Sequence, residues 1–237
     1  MFSMLWQKWL NHRPQPCRRR PAASRRCRPR LEALEDRLAP ALLTVNTTTD
    51  GNDPTVLSLR QAIQAVDNQS LTALSPQQQQ QVSGNLGDHD QIQFAPGLTG
   101  IIFLQGGSPN WLGQGGGELD ITQPVMITGP GAANLRIDAL GLSRVFAVLT
   151  PGINVTLDGL TIAGGGAGPG RYTGGSGVYN VGNLTVSNCI VSDNSAGLAG
   201  SGGGIYNDYG ATLTVSNSIL FGNSTGNVSN PIGSDFL

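Results

Sequence analysis

The sequence predicts an all-β fold: a right-handed parallel β-helix of about five to six coils with a short N-terminal capping helix. Three observations carry this. Leu184-Thr185-Val186-Ser187-Asn188 returns unchanged 29 residues later as Leu213-Thr214-Val215-Ser216-Asn217. The same apolar–polar alternation stands 29 residues earlier at Val155–Gly159 and 30 earlier again at Val125–Gly129. Finally, 31 of the 34 glycines fall at or after Gly97, among Ser, Thr, Asn and β-branched residues, a composition suited to short strands joined by tight turns. An antiparallel sandwich also uses short strands, but its strands do not repeat one another.

In chain order, residues 1–40 form a basic head, helical or disordered. It holds ten of the 14 Lys and Arg residues against three acids, a surplus of seven, whereas the remainder sets four arginines against twelve acids. The near-neutral total therefore hides an acidic body, which cannot form the positive track that nucleic acid requires. The apolar residues within 2–10 are too few to span a bilayer, and no apolar stretch follows the arginines as a secretion signal demands.

Residues 41–96 read as an N-terminal cap. Ala41–Thr49 is β-prone, and Asp50–Pro54 is a turn cluster. Ser58 and Gln61 have capping-box spacing, and Leu59, Ile63 and Val66 follow at helical intervals, predicting a helix over Leu59–Asn68. Its expected task is to cover the first open strand edge. Gln77–Gln81 reads as a polar loop.

The β-helix is expected over 97–224. Gln91–Phe94, Gly100–Leu104 and Glu118–Ile121 read as strands of irregular first coils, and Gly113–Gly117 as a flexible excursion. In the regular coils, Val125/Val155/Leu184/Leu213 and Ile127/Leu157/Val186/Val215 point inward as stacked columns. Ile162, Val191 and Leu220 align after the strands. Asn188 stacks on Asn217 and Asn194 on Asn223, with glycine at these corners elsewhere, where positive φ is expected. Gly177-Val178-Tyr179-Asn180 returns as Gly204-Ile205-Tyr206-Asn207. Residues 225–237 form a tail. Unless it folds over the last coil, Leu213, Val215 and Ile219–Phe221 present an open edge, predicting end-to-end self-association.

Four stretches carry family resemblances. Arg28-Pro-Arg-Leu-Glu-Ala-Leu-Glu-Asp-Arg-Leu-Ala-Pro40 resembles the heads of large exported surface proteins of planctomycete bacteria, which implies sorting to the envelope. Leu57-Ser-Leu-Arg-Gln-Ala-Ile63 is similar to a segment that commonly precedes bacterial β-helix repeats. Gly202–Asn207 with Phe221–Ser224 resembles the polymorphic outer-membrane-protein repeat, and Ile127–Asp138 resembles first coils of the pectate-lyase-like superfamily. The last three together cover roughly residues 41–224 and speak to fold alone, since one fold hosts many functions.

Pectate-lyase-like enzymes use clustered acids for calcium with a basic residue, and related hydrolases use sets of aspartates. Here Asp158 faces Thr128, Ser187 and Ser216, so no carboxylate column forms; Asp120, Asp138, Asp193 and Asp208 lie in different parts of their coils, and Arg136, Arg144 and Arg171 are scattered. Tyr179 and Tyr206 read as a packing ladder rather than a sugar platform. Gly164–Gly166 and Gly202–Gly204 lack the context of a phosphate loop. Cys189 reads as a small core residue. Asn46, Asn154, Asn183, Asn223 and Asn227 match a glycosylation pattern that has no meaning in a bacterial source. The sequence singles out no catalytic, cofactor-binding or metal-binding residue. It implies a secreted or cell-surface module, structural or adhesive, with extracellular polysaccharide or another envelope protein as partner. The alternatives are a polysaccharide lyase or hydrolase, or a fragment of a larger surface protein.

Overall fold

A computed structural model of the chain describes residues 39–105, 117–166, 174–196, 202–230 and 235–236. The expectations for the head through residue 38, for most of Gly113–Gly117 and for Arg171 lie outside them. The first elements are β1 (Leu42–Val45), α1 (Leu59–Asp67), α2 (Pro76–Gln79), β2 (Val82–Ser83), β3 (Asp90–Phe94), β4 (Gly100–Phe103) and β5 (Leu119–Ile121). Successive triplets follow: β6 (Val125–Thr128), β7 (Leu135–Asp138), β8 (Phe146–Val148); then β9 (Asn154–Asp158), β10 (Thr161–Ala163), β11 (Val178–Asn180). After them come β12 (Asn183–Ser187), β13 (Ile190–Ser192), β14 (Ile205–Asn207); β15 (Thr212–Ser216), β16 (Ile219–Phe221), β17 (Val228–Ser229); and finally β18 (Asp235–Phe236).

Each triplet visits three sheets in turn. The first sheet runs β18-β15-β12-β9-β6-β3-β1-β2, the second β16-β13-β10-β7-β4, and the third β17-β14-β11-β8-β5. Every pairing is parallel except the β1–β2 clip at the N-terminal end. The chain is thus an all-β, solenoid-like stack of parallel sheets.

Register follows the repeat. Leu184 pairs with Val155 and Leu213, Val186 with Leu157 and Val215, and Val191 with Ile162 and Leu220. Inward residues alternate with outward polar ones, so Ile92, Ile127, Leu157 and Val186 form one fully buried column and Ile102, Ile137, Ile162 and Val191 another. Each such side chain contributes about 1.5–3 kcal/mol through removal from water. The third column holds Leu119, Phe146, Val178 and Ile205, all buried.

The structure departs from the sequence reading in several places. The stack begins before residue 97, because β1 and β3 already belong to the first sheet. The tail continues it, with β17 and β18 adding strands to two sheets. β7 and β8 are strands that no repeated phrase announces. Gln77–Gln81 is not a plain loop: Ser75 caps α2, Gln78 completes the capping box and Pro76 stands at the first helical position, which suits its missing N–H. Gln78 is buried and ties α2 to the Asp53–Val56 turn, donating to Asp53 O (2.9 Å) and Val56 O (3.0 Å).

The corner residues also split by cause. Asn188 and Asn217 hold φ of +52° and +46°, with the Asn217 amide donating to Asn188 Oδ1. Their counterpart Gly159 shares that conformation, but Gly129 does not; a Cβ there would lie 2.3 Å from Gly159 O. The Asn194–Asn223 column is not left-handed either. The left-handed residue is the one before it, Asp193 (φ +58°) or Gly222 (φ +65°).

Candidate functional site

The helix α1 has one apolar face, with Leu59, Ala62, Ile63, Ala65 and Val66 buried against the stack. Both halves of its capping box are present: Ser58 Oγ accepts from Gln61 N, and Gln61 Oε1 accepts from Ser58 N, each at 3.3 Å. Its ends grip the third sheet. Arg60 forms a bidentate pair with Asp50 (2.8 and 2.7 Å) and donates to the carbonyls of Gly117 (2.6 Å) and Glu118 (2.8 Å). At the other end, Asp67 accepts from the backbone of Thr122 (2.8 Å) and Gln123 (3.1 Å). Each letter of the Ser-Leu-Arg-Gln-Ala-Ile phrase therefore has a physical task.

Between these grips stands Asp120, on the outward face of β5. In register with it across the third sheet come Ala147, Tyr179, Tyr206 and Ser229. The Asp120 carboxyl is pushed up to about 6, chiefly by burial, then by the charges of Glu118 and Asp67, against the opposing pull of Arg60 and Arg144. Its Oδ1 is buried and accepts no hydrogen bond. Burial also raises Glu118, countered by Arg144, whose Nη1 lies 3.3 Å from Glu118 Oε2. Asp67 is raised by burial, its backbone donors acting the other way.

Asp120, Asp138, Asp193 and Asp208 lie on or just after four different strands, and two charged groupings form around them. Chain reversal at the cap brings Asp67, Glu118 and Asp120 into one electrostatic neighbourhood. On the second sheet, Arg136 reaches Asp138 (2.8 Å) and, more loosely, the exposed Asp193 (3.8 Å), so two separate coils share one arginine. Asp158 accepts from Ser187 and Asn188 (both 2.6 Å), as a strand-face residue without a carboxylate neighbour. No group of three or more His, Cys, Asp or Glu residues able to hold a metal occurs among the described residues.

Tyr179 and Tyr206 stack with centroids 5.8 Å apart and planes 10° from parallel. The Arg144 guanidinium lies 5.0 Å from the centre of the Tyr179 ring. Arg144 belongs to the preceding triplet and Tyr206 to the following one, so the Tyr179 ring is contacted from both neighbouring triplets. The Tyr179 hydroxyl donates to Asp208, and its ionisation is pushed upward by burial first and by that bond second. Cys189 is buried, its thiol pushed up to about 11 mainly by burial, which suits packing and not reactivity.

Sequence reasoning missed the Arg60–Asp67–Glu118–Asp120 grouping, whose partners lie more than fifty residues apart along the chain. The available signal was Arg60 itself, a lone cation beside the apolar face of a short helix. Sequence reasoning also left unread a third ladder, in which buried Asn180 donates to Asn207 and Asn207 to Asn230 (both 2.7 Å). No family model, curated protein or solved structure matches this chain.

Proposed function

We propose that this chain is an exported, non-catalytic module of the bacterial cell surface, structural or adhesive, wound as a right-handed β-helix of about five to six coils. One observation carries the reading: apart from Asp120, the buried ionisable side chains of the cap and the first coils serve the architecture. Asp50 binds Arg60, Asp67 binds the β5 turn, Glu118 binds Arg144, Asp138 binds Arg136, and Asp90 accepts from Ala41 N and Gly87 N. The resemblance of the Arg28–Pro40 phrase to planctomycete export heads supports the location, and a polysaccharide or another envelope protein is the partner proposed for a module placed there. Fractionation of native cells tests it: recovery in the envelope or medium is expected, and a purely cytoplasmic pool overturns it.

A second copy of the chain is the partner proposed for the C-terminal end. β16 and β17 close their sheets there, and Ile219 and Phe221 are 60% and 52% exposed. Nucleic acid is no part of the reading, because the body is acidic. No helix among the described residues is long and apolar enough to cross a membrane.

Asp120 favours a second reading, that of a polysaccharide lyase or hydrolase, since a carboxyl titrating near pH 6 beside two arginines is a general acid–base candidate. Incubation with acidic and neutral polysaccharides, with and without calcium, separates the two. Unsaturated-product absorbance or new reducing ends that vanish in Asp120→Asn would establish the enzyme and end the non-catalytic reading.

A further inference from the structure

The cap carries a pocket bordered by the capping contacts described above. It lies between α1, α2 and the turn at Asn52–Pro54 and has a volume of about 530 Å³, within the usual range for small-molecule sites. Its apolar lining consists of the buried Ala65 and Leu74 and the exposed Pro54 and Ala73. Its polar lining is neutral, consisting of the amides of Asn52, Gln61, Gln64 and Gln78 and the hydroxyl of Ser75.

Two of those amides build a fixed frame. Gln78 is fully engaged, its oxygen accepting from Ser75 N (2.8 Å) and its nitrogen donating to two carbonyls of the Asp53–Val56 turn. Ser75 Oγ donates to Pro54 O, closing the same turn onto α2. Gln61 Oε1 is held by Ser58 N (3.3 Å) and Ser58 Oγ (3.0 Å), which leaves its Nε2 hydrogens directed elsewhere. The remaining two amides are available: among the described residues, neither the Asn52 nor the Gln64 side chain makes a hydrogen bond, and Gln64 is exposed. The pocket thus offers neutral amide donors and acceptors beside the buried Ala65 and Leu74, and no charged side chain lines it. Arg60, on the same helix, is committed to Asp50, so an anion entering the pocket meets no free cation from it.

We propose that this pocket binds an uncharged, hydroxyl-rich ligand, a neutral oligosaccharide, with amides taking adjacent hydroxyls and the apolar residues taking the C–H face of a sugar ring. A carboxamide presents one acceptor and two donors, so it can both give to and receive from a pair of neighbouring hydroxyls. A uronic acid chain would have to leave its carboxylate hydration without a compensating cation. The inference gives the adhesive reading a ligand, and its test is independent of where the protein resides.

The full chain is titrated by calorimetry and saturation-transfer NMR with cellobiose, mannobiose and maltose, and with digalacturonate as the acidic probe. At least one neutral probe is expected to bind and digalacturonate to bind more weakly. Gln64→Ala should weaken the neutral probe roughly tenfold. Ala73→Trp, at an exposed lining position, should fill the pocket and abolish binding while circular dichroism stays that of the parent. Failure of all three neutral probes, equal binding of digalacturonate, or undiminished binding by Ala73→Trp overturns the proposal. Cell fractionation reads the export proposal alone, so the two can fail separately.

Discussion

At Asp120, burial and the neighbouring charges of Glu118 and Asp67 act together against ionisation, and the consequence is a pH-dependent stability. The folded carboxyl titrates near 6, above its ordinary value of 3.8. A carboxyl raised on folding stabilises fully below the lower value, and that stabilisation is lost as pH rises through the higher one. The parent should therefore melt at a lower temperature at pH 8 than at pH 4.5. Asp120→Asn should gain about 1–2 kcal/mol at pH 8, after discounting for solvent screening, and only about a third of that at pH 4.5. Equal gains at both pH values would remove the electrostatic account. At Asn194 the prediction has the opposite sign. Its amide is buried, accepts from Gly165 N (2.8 Å), and donates to Ile162 O (3.2 Å) and Asn223 Oδ1 (2.9 Å). Asn194→Ala strands these groups and should cost about 1–3 kcal/mol by urea denaturation. The Asn ladder was legible because its members repeat at fixed spacing. Asp120 was not, because a carboxyl's environment depends on which distant segments fold beside it.

Among the elements, legibility followed repetition and capping chemistry. β9, β12 and β15 share a phrase, α1 announces its start with Ser58 and Gln61, and the structure has both features where they were expected. β7 and β8 share no phrase with their neighbours. Phe146-Ala147-Val148 is an unbroken apolar stretch, which has no period to read, although Phe146 fills the third column as well as Val178 does. α2 was readable in principle from Ser75, Pro76 and Gln78, but its glutamines matched a low-complexity loop more obviously than one turn of helix. For α1 the capping residue gives the cleanest test. Ser58→Ala removes the acceptor for Gln61 N and should cost about 1 kcal/mol. Hydrogen exchange should then quicken in α1 and β5, which it covers, with β12 and β15 unaffected. Uniform acceleration throughout the body would show that the cap and the stack unfold as one unit.

For the whole molecule, stability is the sum of interfaces between successive triplets, and the two ends are treated differently. The N-terminal end is shielded by α1 and clipped by the antiparallel β2. At the other end, Val215, Leu220 and Val228 are only half-buried, although they continue inward columns that are fully buried further up. Open strand edges of this kind favour pairing with another chain. Sedimentation over a dilution series should show reversible association of the full chain, and Phe221→Lys should shift it toward monomer without loss of the β signal. A concentration-independent monomer in the parent would end that proposal. The same asymmetry has a mechanical consequence. Backbone hydrogen bonds in parallel sheets run along the stacking direction, so a pull on the two ends loads successive strand layers in series and the three sheets of each layer in parallel. β12 and β15 share five residue pairs, whereas β14–β17 and β15–β18 share two each. Under tension the molecule should therefore peel from its C-terminal layer, one triplet at a time, while the layers around β9 and β12 still hold; as a tether it would yield in steps and lengthen before it broke.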